Sequence, residues 1–211
     1  MRHLFLRPAL AFLAASSLSL TACNDDNDNE ETVTPALETQ KVGSLAPQPA
    51  ATTSTGQPGT AKHFTFYSLA DNKEVPYTDS ASTKWDVAFR STTILTNGGA
   101  SGPGQGGAQV YTGLFDELKA VPETAFAVDA AATKAIPTGS GQGWYNYNST
   151  THLVTPIAGK VLVIRTATGK YAKMEVTSYY KDAPASPTLS TPSGYYSFRY
   201  LYQPDGSRNL Q

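Results

Sequence analysis

Alternation of apolar and polar positions dominates the second half of the chain, and it has the two-residue period of strands rather than the helical period. In Trp85-Asp86-Val87-Ala88-Phe89-Arg90, the alternation sets Trp85, Val87 and Phe89 on one face and Asp86 and Arg90 on the other. Thr92 to Leu95 extends this strand, and Asn97-Gly98 turns it. Thr39 to Leu45, His63 to Leu69, Trp144 to Tyr147 and Tyr195 to Tyr202 also read as strands. Lys160–Arg165 and Tyr171–Tyr180 flank Ala167-Thr168-Gly169-Lys170, a hairpin whose glycine supplies the positive φ. In its second arm Ala172, Met174, Val176, Ser178 and Tyr180 share a face opposite Lys173 and Glu175. Leu114 and Leu118, four apart, predict one short helical turn ended by Pro122, and Pro47 to Thr60 reads as a loop. The expected fold is all-β: a single-domain, antiparallel, sandwich- or barrel-like domain over residues 36–211 with one short helical turn.

The N-terminus follows a different logic. Arg2 and Arg7 precede the apolar run Ala9–Ala15, which is too short to span a bilayer. Leu20-Thr21-Ala22-Cys23 follows, with small residues before the only cysteine of the chain. Residues 1–22 therefore read as a lipoprotein export signal, and Cys23 as the lipidated residue that becomes the N-terminus. The lipid chains would hold the protein on the membrane. A lone cysteine leaves no disulfide framework and no Cys-based zinc site. Residues 23–35 form an acidic tether with nothing apolar to bury, and it fits either a surface-export signal or a plain spacer.

Charge narrows the partners. Residues 1–22 hold two of the sixteen Lys and Arg and none of the seventeen Asp and Glu, so the processed chain carries −3. That argues against nucleic acid, which needs a basic stripe. Gly102-Pro103-Gly104-Gln105-Gly106-Gly107 matches GxGxxG, yet Gln109-Val110-Tyr111 reads as strand and no helix follows to face a pyrophosphate. No HExxH and no GxSxG occurs, and no carboxylate pair has glycosidase spacing, so no enzyme class finds a motif. After processing, two histidines remain, His63 and His152. His63 opens a strand. His152, in the polar loop Ser149–Leu153, is the histidine placed to reach a ligand. Trp144, Tyr145, Tyr147, Tyr196, Phe198, Tyr200 and Tyr202 could line an apolar pocket or simply fill the core.

Four blocks carry a family resemblance: Trp85–Arg90, Asn97-Gly98-Gly99 with its extension to Gly107, Val163–Lys173, and Tyr196–Tyr200. In order, from about Phe64 to Asp205, they resemble the HmuY family of lipid-anchored haem-binding proteins of Gram-negative bacteria. The resemblance implies an all-β fold that holds one haem near the protein edge between two axial side chains, two histidines or two methionines. It implies capture of haem outside the cell and hand-over to an outer-membrane haem transporter, without catalysis. It also implies an outer-membrane, cell-surface location. His152 falls near one family ligand position. The segment Leu114–Gly143, where the other is expected, has neither histidine nor methionine. Met174 is the remaining candidate partner. Five-coordinate haem on His152, haem without iron ligation, or another ligand all stay open. So does an interaction lipoprotein on the same scaffold that binds a protein or a glycan.

Overall fold

Thirteen strands and one 3-10 turn make up the regular structure of the computed structural model, which describes residues 37–52 and 58–211. The longest connection, residues 113–144 between the strands ending at Thr112 and starting at Tyr145, holds neither strand nor helix. The export signal 1–22, Cys23, the tether 23–35 and the domain's first residue, Ala36, lie outside the described residues. In chain order the strands are β1 (Thr39–Leu45), β2 (Ala50–Thr52), β3 (Pro58–Ala61), β4 (Thr65–Ser68), β5 (Lys73–Val75), β6 (Val87–Arg90) and β7 (Thr93–Thr96). Then come β8 (Gly107–Thr112), β9 (Tyr145–Asn148), β10 (Leu153–Pro156), β11 (Lys160–Arg165), β12 (Tyr171–Tyr180) and β13 (Ser193–Gln203). Tyr77–Asp79 forms the 3-10 turn. Among the described residues no helix is long and apolar enough to cross a membrane.

A five-stranded sheet, β1-β13-β12-β11-β8, faces a four-stranded sheet, β5-β4-β6-β7, and every neighbouring pair is antiparallel. Neither sheet closes on itself, so the all-β expectation holds as a sandwich rather than a barrel. Period-2 alternation builds the layer between the sheets. Leu162, Ile164, Ala172, Met174 and Val176 from one sheet join Tyr67, Val87, Phe89 and Ile94 from the other in one buried cluster. Phe198 bridges them, edge-on to Tyr67 at 5.5 Å and stacked on Phe89 at 5.4 Å between ring centroids. Each such large side chain contributes about 1.5–3 kcal/mol by leaving water. The hairpin β11–β12 has the predicted turn, with Gly169 at φ 80°.

Several expectations need correction. Trp85 does not share a face with Val87 and Phe89. It lies outside the regular strand and packs behind the four-stranded sheet with Phe66, Ala88 and Leu95. Asp86 is buried rather than solvent-facing, because the irregular backbone ahead of β6 breaks the alternation. Thr92–Leu95 does not prolong that strand: the chain reverses at Ser91, whose φ is 48°, and returns as β7. Residues 47–60 are not wholly loop, since β2 pairs with β3. The predicted turn after β8 forms, with the Leu118 amide donating to the Leu114 carbonyl at 3.3 Å, but Leu114 is exposed and Phe115 takes the buried place.

Buried polar side chains fasten the loops. One oxygen of Asp86 accepts from the Leu69 amide at 2.9 Å and the other from the Ala167 amide at 3.0 Å. Burial outweighs these bonds and raises its carboxyl above the usual range. The Asn97 amide group donates to the Trp85 carbonyl at 2.7 Å and its oxygen accepts from Gly104 N–H at 3.1 Å. A Cβ at Gly102 would overlap the Asn97 amide and the Trp85 ring, so this glycine is demanded by close approach. Three of the four family-like blocks therefore meet in one polar knot. On the outer face of the five-stranded sheet, Lys173 is buried as well. Its ammonium donates to the Phe115 and Leu118 carbonyls at 2.9 and 2.8 Å and pins the turn after β8.

Two outcomes follow from these buried groups. Asp86→Ala strips the acceptor from two backbone amides, at about 1–3 kcal/mol each. We expect urea unfolding to show a loss of about 3 kcal/mol with an unchanged slope; a loss below about 1 kcal/mol contradicts the knot. Desolvation lowers the Lys173 pKa, so the folded chain releases this proton before the unfolded chain does. Between the lowered value and the ordinary lysine value, near 10.4, the unfolded state binds more protons and stability rises with pH. The stability difference between wild type and Lys173→Met should therefore shift in favour of wild type as pH rises through that window. A difference independent of pH would contradict it.

Candidate functional site

His152 sits at the tip of a two-stranded hairpin that joins neither large sheet's ladder but packs against β12. Strands β9 and β10 pair Asn148 with Leu153 and Tyr147 with Val154. The loop between them is shaped by Asn148, whose side-chain oxygen accepts from the Thr150 and Thr151 amides at 2.9 and 3.1 Å. His152 closes the loop in the left-handed region at φ 55°. Its side chain is exposed, and its Nδ1 lies 2.6 Å from the Tyr147 hydroxyl. Tyr147 is itself 44% exposed. The bond can run either way, from phenol to imidazole or the reverse.

The base of the hairpin is held firmly. The Val154 amide donates to the Tyr180 hydroxyl at 2.9 Å, and Trp144 Nε1 donates to the Thr92 carbonyl at 3.0 Å. Trp144 is surrounded by Tyr145, Tyr196 and Tyr179, with ring centroids 5.0, 5.2 and 5.8 Å away. Burial pushes the Tyr179 phenol up to about 12 and raises that of Tyr196 well above the ordinary value. These phenols stay neutral at physiological pH and form an apolar footing. Trp144, Tyr145, Tyr196, Phe198 and Tyr200 are core residues, and Tyr202 is half-buried. Of the aromatic set singled out in the sequence, Tyr147 is the one that presents its ring to solvent beside His152.

The structure does not bring Met174 to this tip. Met174 is wholly buried between the sheets, opposite Leu162 and Tyr200 in the strand register. It lies six positions along β12 from Tyr180, roughly 20 Å of strand. His63 is elsewhere too, stacked on Tyr77 at 3.7 Å between centroids. Among the described residues no three His, Cys, Asp or Glu gather to hold a bare metal ion. What the tip can offer is one monodentate imidazole with an oxygen partner behind it.

A concave surface lies elsewhere, behind the four-stranded sheet. It encloses about 690 Å³ over Phe64, Phe66 and Leu95, with Tyr77 as a wall and residues 99–103 as a rim. None of its lining residues is charged. Sequence reasoning missed this groove, because only the fold lays the glycine-rich loop over that face. It also missed the contact between Tyr147 and His152. The signal available was their five-residue spacing across an Asn-initiated turn.

Comparison with known proteins places the chain. A profile described as HmuY protein matches residues 60–200. No curated protein matches. Among solved structures, the apo HmuY analog of Tannerella forsythia is 17% identical, with a TM-score of 0.45 over 80% of this chain and 96% of its own. Apo PinO from Porphyromonas gingivitis is 18% identical, with a TM-score of 0.45 over 80% of this chain and 98% of its own. A Bacteroides vulgatus protein described as HmuY-like and heme-binding is 22% identical, with a TM-score of 0.44 over 66% of this chain and 84% of its own. The profile match spans well over half of the sequence, and the chain belongs to the HmuY family.

Proposed function

We propose that this protein is a haem-binding lipoprotein of the outer cell surface, anchored through Cys23, that captures haem and passes it to an outer-membrane transporter without catalysing a reaction. Membership of the HmuY family is the observation that carries this reading. The donor set at the hairpin tip fits it. An exposed imidazole paired with Tyr147 at Nδ1 offers Nε2 to the haem iron when Nδ1 carries the ring proton. An axial imidazole from the protein suits storage and transfer of haem. In this reading His152 is the iron-facing residue, and Met174 stays a packing residue because its sulfur lies inside the core. A site on an exposed loop with one protein ligand also keeps release to a transporter inexpensive, which a carrier needs as much as capture.

A second reading is supported by the uncharged aromatic groove beside Tyr77. In it the protein is an interaction lipoprotein that has lost haem and takes a neutral sugar against those rings.

Haemin titration of the purified domain separates the two. The first reading expects a Soret shift at micromolar haemin, weakened about 10- to 100-fold in His152→Ala. A flat response in wild type rejects haem binding, and an unchanged response in the variant rejects His152. A flat response together with oligosaccharide-dependent NMR shifts at Phe64 and Tyr77 favours the second. For the anchor, Cys23→Ser should move the protein from the membrane fraction to the soluble fraction; retention in the membrane contradicts lipidation at that residue.

A further inference from the structure

We propose that Tyr147 tunes His152 for ferric haem: the phenol oxygen accepts the imidazole Nδ1–H, which turns the Nε2 lone pair outward and strengthens it as a donor. This rests on the haem reading of the hairpin tip. Both side chains are exposed, so core packing does not force their 2.6 Å contact. The loop between β9 and β10 brings the two side chains together. His152 holds a left-handed conformation at φ 55°, a position that costs a residue with a Cβ on the order of 1 kcal/mol. Asn148 shapes the loop that delivers His152, and the Tyr147 amide is tied to the Ser140 hydroxyl at 2.8 Å. The left-handed backbone is shared with Ser44, Asn72, Ser91, Asp182 and Ala183, so what marks the pair is the short contact itself between two exposed side chains.

The polarity of the bond decides the chemistry. If the phenol donated to Nδ1, the neutral ring would carry its remaining proton on Nε2 and could not ligate iron there. With Nδ1–H donating, Nε2 is the free base. No residue between Tyr145 and Pro156 is charged, so no carboxylate in the hairpin competes for the imidazole. A partner behind a ligating histidine fixes its tautomer and orientation and raises its basicity. A stronger donor favours the higher oxidation state, so Tyr147 is a positioning residue that biases the site toward ferric haem.

Tyr147→Phe removes one hydroxyl from an exposed ring, so the fold is kept. In the haem-free protein, at a pH well above the ordinary histidine range, nitrogen-15 shifts of His152 should report the Nδ1–H form in wild type and mainly Nε2–H in Tyr147→Phe. In the haem-loaded protein, the ferric dissociation constant should rise about tenfold in the variant while the ferrous constant stays level. That tenfold split is a rise of about 59 mV in midpoint potential. An Nε2–H wild type, or equal potentials in the two proteins, overturns the proposal. So does loss of the ligand spectrum in Tyr147→Phe but not in His152→Ala, which would make Tyr147 the iron donor. A flat Soret response in wild type rejects the haem reading itself, and is told apart from these because the tautomer is read without haem.

Discussion

One buried carboxylate joins the two halves of this sandwich. Among the described residues Asp86 forms no ion pair; its two oxygens are held by the Leu69 amide, in the turn after β4, and by the Ala167 amide, in the turn between β11 and β12. A charge taken out of water is costly unless fully hydrogen-bonded, so this arrangement tolerates little displacement of either turn. Around it the Gln105 amide reaches the Ala167 carbonyl at 2.9 Å, and Asn97 ties the strand entry at Trp85 to the glycine-rich loop. The blocks that resemble the family are thus framework. Three of them meet at this knot, away from His152, while Tyr196 of the fourth packs against Trp144 at the base of the hairpin.

That separation has a structural meaning. The knot gathers near the start of β12, whereas the hairpin bearing His152 docks on Tyr180 at its end, roughly 30 Å along the strand. A rigid scaffold at one end leaves the other free to vary. The hairpin is fixed at its base by Trp144 and Tyr180 and open at its tip, which suits a group that must be presented and later surrendered.

Much of the fold was legible because buried strands keep a period of two. Thr39–Leu45 and both arms of β11–β12 could be read directly, as could the burial of Ala172, Met174 and Val176. Reading failed where local pattern and long-range bonding disagree. Asp86 and Lys173 look like solvent-facing positions, yet each is buried because distant backbone groups need an acceptor or a donor there. The strands β2 and β3 come from a Pro-, Thr- and Gly-rich stretch with no strand signal of its own. At the candidate site, His152 could be named from its loop, but its coupling to Tyr147 depends on a hairpin register that composition does not specify. Met174 carried two readings, ligand and core, and only the packing around it separates them.

The central claim is that haem is received at the β9–β10 tip. Backbone amide spectra recorded during addition of ferric haemin test it most directly, because paramagnetic iron broadens nearby signals. The account predicts that signals from residues 145–155 fade first, with those of the polar knot around Asp86 unaffected. Broadening confined to Phe64, Tyr77 and residues 99–103, or spread without preference, would contradict it.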